Sequence, residues 1–316
     1  AETAGLLRGA AGFWEMHRWL FERAGSFTNP ELHAGLQELG YVPSEFIPMM
    51  NSEATLAIVQ EDIEQALWLG LHHTPMVFIN GVELRGVFAT NAVVRAVRKV
   101  LASDPPPKTA AADQPLRGAE RYVGYWRQQP VRSVPKDTTS WATGPADAKL
   151  RVVVWGDYQA GYTAEADAII RNFVEARIDT QYSFRHYPID LACNPSTKVT
   201  KQPQACDASR AAEAAGRLGG PTAYWTMHAW LMEHQATFSR AAARDVAHEM
   251  GLDPQAFEQM MDSEAVSEEI KLDAAAGKRL GLGGVPFIIV NNRRVPKWRL
   301  KGQNPLERIM TEALGK

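Results

Sequence analysis

The middle of the chain reads Leu150-Arg151-Val152-Val153-Val154-Trp155-Gly156-Asp157-Tyr158-Gln159-Ala160-Gly161-Tyr162-Thr163. Its first six residues form a β-branched, apolar run, which is typical of a strand buried on both faces. Apolar residues then recur at helical spacing over residues 164–174, and residues 181–187 alternate like a second strand. A strand, a helix and a strand in this order predict an α/β domain.

The rest of this domain is predicted from apolar periodicity and from glycine, proline and asparagine signals. Asn291-Asn292 is typical of a two-residue hairpin turn, and Asn304 is the expected cap of a last helix. The predicted elements are a helical block over 207–280, a strand over 285–290, a return strand over 294–300 and a closing helix over 305–314.

A repeat relates the two parts of the chain. Phe13-Trp14-Glu15-Met16-His17 is similar to Tyr224-Trp225-Thr226-Met227-His228, which lies 211 residues later. The same offset pairs residues 43–54 with 254–265, and Pro75 with Pro286, without a gap. We interpret the chain as two copies of one structural unit.

Only the second copy has a lead-in, residues 148–211, with a strand, a helix and a strand. We therefore predict a partial copy in 1–104, a linker in 105–146 and a complete copy in 147–316. The partial copy has helices up to residue 71, a strand over 76–80 and a closing helix over 91–101. Its missing strands are expected upstream of Ala1 or from a partner, because apolar helix faces would otherwise be exposed.

The predicted linker is irregular apart from a short helix over 120–128. Trp126 and Trp141 lie in it, and we interpret them as anchors on a neighbouring surface. The formal net charge of −2 gives no electrostatic reason to expect nucleic acid as a partner. No apolar run approaches the roughly 20 residues that span a bilayer, and we expect neither a cofactor nor a metal.

The chain has two cysteines, Cys193 and Cys206, on either side of a polar loop. An even pair at this spacing indicates a disulfide, the alternative being two free thiols. A stable disulfide implies an oxidising compartment.

Several features together resemble the DsbA-like thioredoxin family. They are the order of elements, the aromatic-Trp-x-Met-His stretch, the run Gly283-Gly284-Val285-Pro286 before a strand, and the lead-in Gly144-Pro145-Ala146-Asp147-Ala148. The resemblance implies a thioredoxin fold with a helical insertion, present as one partial and one complete copy. It also implies the periplasm or cell surface of a bacterium.

In that family the first strand runs into an Asp-aromatic-Gln-Cys-Pro-x-Cys motif. Here Ala160 and Thr163 stand at the cysteine positions, Gly161 replaces the proline, and Tyr162 follows it. Disulfide exchange requires a thiolate, which neither alanine nor threonine supplies. We therefore expect no catalysis at these four positions. One alternative is a protein disulfide oxidoreductase whose Cys-x-x-Cys lies upstream of Ala1; another is a glutathione-transferase-like enzyme that uses Thr163.

The resemblance also implies cis peptide bonds at Thr74-Pro75 and Val285-Pro286. In thioredoxin-like proteins this loop exposes backbone groups that pair with an extended peptide, and such pairing needs no cysteine. The four residues are therefore candidate binding residues, the alternative being that both prolines only shape the core. We expect a redox-inactive binding or structural subunit with a protein or peptide partner, possible strand donation to residues 1–104, and a place in an envelope assembly.

Overall fold

The computed structural model describes residues 1–23, 27–106, 109, 111, 113–134 and 141–315. It divides the chain into two compact units, Ala1–Arg117 (unit 1) and Gly118–Lys316 (unit 2). No helix among the described residues combines the length and the apolarity that crossing a bilayer requires.

Unit 1 is mostly helical, with a small core around Met16, Trp19, Leu36 and Phe46. A two-stranded antiparallel hairpin follows the first four helices. The elements of unit 1 are α1 (Glu2–Glu22), α2 (Asn29–Glu38), α3 (Pro43–Met50), α4 (Glu53–Trp68), β1 (Phe78–Ile79), β2 (Val82–Glu83) and α5 (Ala92–Ser103).

Unit 2 contains a four-stranded mixed sheet and seven helices among its described residues. Its elements are α6 (Gly118–Arg127), β3 (Leu150–Gly156), α7 (Gly161–Glu175), β4 (Thr180–His186), α8 (Ala205–Glu233), α9 (Arg240–Glu249), α10 (Pro254–Met261), α11 (Glu264–Arg279), β5 (Phe287–Val290), β6 (Arg293–Arg294) and α12 (Pro305–Ala313). The predicted α/β class is confirmed.

The sheet of unit 2 has the order β4-β3-β5-β6. β3 pairs in parallel with β4 and antiparallel with β5, so it is a central strand. All of β3 except Arg151 is buried, as the β-branched run predicts. Val152 and Val154 face a core shared with α7, α8 and α12, whereas Val153 and Trp155 face a second core beside α11.

The predicted return strand over 294–300 is wrong, because β6 contains only Arg293–Arg294. Pro296 follows closely, and a proline cannot donate a ladder hydrogen bond. The hairpin turn before it is confirmed: Asn291 and Asn292 both have positive φ, at 43° and 63°, as a two-residue turn requires.

Much of the predicted linker is structured and belongs to unit 2. The helix expected over 120–128 is α6, which packs against α12. Trp126 is buried in the main core, and its Nε1–H donates to the Val290 carbonyl at 3.3 Å. Trp141 stacks on Tyr224. Residues 107, 108, 110, 112 and 135–140 of the predicted linker lie outside the described residues.

Three consecutive helices have matching bounds in the two units. Adding 211 to the residue numbers of α2, α3 and α4 gives the bounds of α9, α10 and α11. α4 and α11 both begin behind a serine, Ser52 and Ser263, whose side chain accepts a hydrogen bond from a backbone N–H three residues later. Gly9 and Gly220 both have positive φ, at 65° and 74°, within a long helix. The same local signals therefore produce the same helices in both units.

Candidate functional site

Sheet register places the two candidate segments of unit 2 at one end of the sheet. β3 ends at Gly156, and the chain enters α7 through residues 157–160. Phe287, the first residue of β5, lies opposite Trp155 near the end of β3. The Val285-Pro286 bond immediately before β5 therefore lies at the same end of the sheet as the residues that lead into α7.

The four motif positions form the start of α7. Ala160 is the N-cap residue and has no side-chain cap, whereas Gly161 and Tyr162 are exposed. Thr163 is fully buried, and its hydroxyl accepts a hydrogen bond from the Asp157 N–H at 3.4 Å. This end of the helix therefore has a methyl group and a buried hydroxyl where thiol chemistry would need sulfur.

Asp157 is the one buried carboxylate in the segment that leads into α7. Its two oxygens accept hydrogen bonds from the Ile189 N–H at 2.7 Å and the Gln159 N–H at 2.8 Å. Burial raises the pKa of Asp157 to about 6; these hydrogen bonds oppose the rise and the charge of Asp190 adds to it. The carboxyl therefore binds and releases a proton near neutral pH.

A buried polar chain runs behind this segment. The Tyr158 hydroxyl lies 2.8 Å from His228 Nδ1, and His228 Nε2 lies 2.9 Å from Asp167 Oδ1. The same carboxylate accepts hydrogen bonds from the Tyr182 hydroxyl and Arg171 Nε, both at 2.7 Å. Burial alone would raise the pKa of Asp167, but His228 and Arg171 hold it below its usual range. This chain ties α7, β4 and α8 together.

A second buried network joins the end of β4 to α8 and α11. His186 Nε2 lies 3.1 Å from Glu213 Oε1. Burial would lower the pKa of His186, but the nearby Glu213 carboxylate outweighs burial, so the pKa is raised. Arg185 donates to Asp273 at 2.9 Å. Sequence reasoning missed these groups, although two adjacent cationic or titratable side chains, Arg185 and His186, at the end of a predicted strand were the available signal.

Both predicted proline bonds, Thr74-Pro75 and Val285-Pro286, are cis. In unit 2 the residues before the bond leave open space: a Cβ added at Gly283 or Gly284 would meet no heavy atom of the described residues within 4 Å. The binding role of these loops stays a prediction.

The predicted disulfide is present between Cys193 and Cys206, so the chain has no free thiol. The bridge packs against Val266 and Ile270 of α11. Among the described residues, no group of three or more His, Cys, Asp or Glu side chains is arranged to hold a metal ion.

A profile of the DSBA-like thioredoxin domain matches residues 151–312. The chain belongs to this family. The match covers nearly all of the sheet and of α7 to α12, and the four motif positions, residues 160–163, lie within it.

Curated relatives include Na(+)/H(+) antiporter NhaA 1 of Salinispora arenicola, 29% identical over 188 residues, or 59% of this chain and 27% of that protein. NhaA of Herminiimonas arsenicoxydans is 30% identical over 156 residues, or 48% of this chain and 22% of that protein. The chain thus spans about a quarter of the length of the relatives it matches.

Solved structures with similarity include oxidised BdbD from Bacillus subtilis, at 18% identity and a TM-score of 0.48, covering 60% of this chain and 100% of that one. A periplasmic thioredoxin-like protein from Salmonella enterica serovar Typhimurium has 20% identity and a TM-score of 0.47, covering 58% of this chain and 94% of that one.

Proposed function

We propose that unit 2 is a redox-silent member of its family that binds an extended protein or peptide segment beside the Val285-Pro286 loop. The observation that carries this proposal is the absence of sulfur at Ala160 and Thr163 in a domain that keeps the fold. The chain's two sulfurs are bonded to each other, so neither is available for exchange.

Three features support binding at this loop. Open space lies in front of Gly283 and Gly284, so a second backbone could approach the chain closely there. Tyr162 at the head of α7 is 59% exposed. The Arg299 guanidinium lies 4.7 Å from the centre of the Tyr162 ring, and this cation–π contact orients the tyrosine side chain. An exposed, oriented tyrosine is a common anchor in protein interfaces.

The buried Thr163 hydroxyl counts against the glutathione-transferase alternative, because a hydroxyl turned into the protein cannot orient a bound thiol. The oxidoreductase alternative requires a Cys-x-x-Cys outside the 316 residues. That motif would act in unit 1 and would leave unit 2 redox-silent.

We also propose that the protein works outside the bacterial cytoplasm, in an envelope assembly. The Cys193–Cys206 disulfide supports this location, since such bonds persist in oxidising compartments. We propose further that the two units are copies of one fold, the first incomplete. The matching bounds of three helices and the paired cis-prolines support this interpretation.

The relatives favour a second, more specific role. Several Na(+)/H(+) antiporters contain a region similar to this chain. We therefore propose that the chain forms an extramembrane part of an antiporter polypeptide. An antibody against residues 118–316 should then detect, in host membranes, a polypeptide much longer than 316 residues. Detection only in the soluble fraction would contradict this role.

Peptide binding is tested with the full chain and reduced, carboxymethylated α-lactalbumin, an unfolded polypeptide without free thiols. Hydrogen exchange should show protection of residues 283–287, and Tyr162→Ser should weaken binding. The matched control is Ile178→Ser, which changes another exposed apolar side chain of unit 2 and should leave binding unchanged. Absence of protection at 283–287, or equal effects of the two substitutions, would refute the proposed binding mode.

A further inference from the structure

Unit 2 contains a cavity at the end of its sheet opposite the motif positions. Its lining comes from the last turn of α7 and the residues after it, the start of β4, the second half of α8 and Thr143-Gly144. Thr180, at the start of β4, lies opposite Leu150, the first residue of β3, whereas the motif follows the last. The volume of about 630 Å³ lies within the roughly 300–1,000 Å³ of small-ligand sites.

Two aromatic side chains present apolar surface to this cavity. The Trp225 and Tyr182 rings lie 5.1 Å apart. The Trp225 Nε1–H donates to the Trp141 carbonyl, and the Tyr182 hydroxyl donates to Asp167 at 2.7 Å. Because the polar atoms of both rings are bonded within unit 2, the rings offer an occupant mainly apolar contact.

Aliphatic side chains extend this surface to the rim of the cavity. Val174 and Ala229 are half-buried in the lining, and Ile178, also in the lining, is 96% exposed. An occupant with an apolar body would remove part of this surface from water, which favours binding.

Two arginines from the α7 side give the lining its hydrogen-bond donors. Arg171 Nε donates to Asp167 at 2.7 Å, and the terminal nitrogens of Arg171 have no partner among the described residues. The Arg177 guanidinium lies 3.7 Å from the centre of the Phe173 ring and donates to the Phe173 carbonyl at 2.7 Å. These contacts hold Arg177 in place, and no acidic side chain of the described residues pairs with it.

The acidic groups near the cavity leave one positive charge without a close partner. Asp167 is fully buried and is already bound to Arg171, Tyr182 and His228. Glu175 is the one carboxylate among the lining residues, and it is exposed, so water and salt screen its charge. The arrangement therefore favours an occupant with a single negative charge.

We propose that this cavity binds a small amphipathic carboxylate. The apolar body of the ligand lies against Trp225 and Val174, and its carboxylate pairs with Arg177 and accepts hydrogen bonds from the terminal nitrogens of Arg171. A planar guanidinium suits a carboxylate, which can accept two parallel N–H donors. The site lies away from residues 283–287 and is independent of the peptide binding proposed above.

The probe is decanoate, titrated calorimetrically into the full chain below its micelle-forming concentration. We expect saturable 1:1 binding, and at least tenfold weaker binding of decyltrimethylammonium, which has a chain of the same length and the opposite charge. Hydrogen exchange with decanoate bound should slow in residues 171–178 and 222–229. Protection at residues 283–287 alone would place the ligand at the peptide loop and overturn the proposal.

The head-group contact is tested with two arginine variants. Arg177→Gln should weaken decanoate binding roughly tenfold, because it removes a charge-assisted hydrogen bond. Arg308→Gln is the matched control, since it removes an exposed arginine on α12 outside the cavity and should leave binding unchanged. Equal effects of the two substitutions would overturn the assignment of Arg177.

Two further variants test the cavity itself. Ala229→Trp fills it and should abolish binding, with circular dichroism as the check of folding. Glu175→Gln removes the like charge of an exposed side chain and should strengthen binding about threefold.

The proposal fails if decanoate shows no saturable binding, or if the two chains of opposite charge bind equally well. It also fails if folded Ala229→Trp binds decanoate like the unaltered protein. None of these results affects the binding of carboxymethylated α-lactalbumin, which is measured at a different end of the sheet.

Discussion

Three consecutive helices have the same lengths in both units, yet the third of them buries only Thr55 as α4 of unit 1, whereas as α11 of unit 2 it buries a whole face. α4 and α11 have matching bounds, but α11 packs on strands β3 and β4, whereas the described residues of unit 1 contain no sheet of this kind. Local signals such as serine caps therefore set where each helix begins and ends. In unit 2, burial depends on the strand–helix–strand segment of residues 150–186, which also contains the four motif positions 160–163.

The largest expected contrast is at the matched histidines. His228→Ala should destabilise unit 2 by about 3 to 5 kcal/mol, because it leaves Asp167 buried without its main partner. His17→Ala should change the stability of unit 1 by less than about 0.5 kcal/mol, since the ring is half-buried and has no hydrogen-bond partner among the described residues. Hydrogen exchange of α8 and α1 amides in the full chain measures both. Equal effects would break the comparison.

The disulfide should stabilise only unit 2. Replacing both Cys193 and Cys206 by serine removes a cross-link between residues 13 apart. The expected loss in the free energy of unfolding is about 3 kcal/mol, from the greater freedom of the unfolded chain. Hydrogen exchange of α11 against that of α4 measures the effect. Reductant added to the unaltered protein should reproduce the loss of stability in α11. A loss of protection from exchange in α4 as large as that in α11 would contradict the prediction.

Asp157 should make unit 2 less stable as pH rises. Its folded pKa of about 6 lies above the ordinary value of 3.8, so the folded state holds the proton more tightly. The resulting stabilisation is complete below about pH 4 and is lost by roughly pH 6, at a cost of roughly 2 to 3 kcal/mol. Asp157→Asn should be insensitive to this change, so its stability relative to the unaltered chain should increase between pH 4 and 6.5 in urea unfolding. A constant difference would show that Asp157 does not titrate in this range.

The smallest effect sharpens the comparison at a single methylene. Ile270→Val, which puts the unit 1 residue into unit 2, should cost about 1 kcal/mol because Ile270 is fully buried. The reverse exchange, Val59→Ile, should change unit 1 by less than about 0.5 kcal/mol, as its site is exposed. Hydrogen exchange of the α11 and α4 backbone amides measures the two changes in stability. A cost of similar size at Val59 would mean that α4 is covered.

The sequence was sufficient for the elements and insufficient for their polar partners. The buried strand β3, the helix α7, the hairpin turn and the disulfide were all predicted, because each has a local pattern. The predicted return strand over 294–300 extends past Pro296, although a proline has no backbone N–H to donate to a neighbouring strand. The Asp167–His228 contact joins residues 61 apart, and the Arg185–Asp273 pair joins residues 88 apart. Such pairs follow from packing, which periodicity alone does not determine.

The most direct test is insulin reduction by dithiothreitol, followed with the full chain. The proposed function predicts a rate equal to the uncatalysed background, since the head of α7 has no sulfur. The double variant Ala160→Cys with Thr163→Cys should accelerate the reaction, showing that the fold around the site can support exchange once thiols are present. Catalysed turnover by the unaltered 316-residue chain would contradict a redox-silent unit 2.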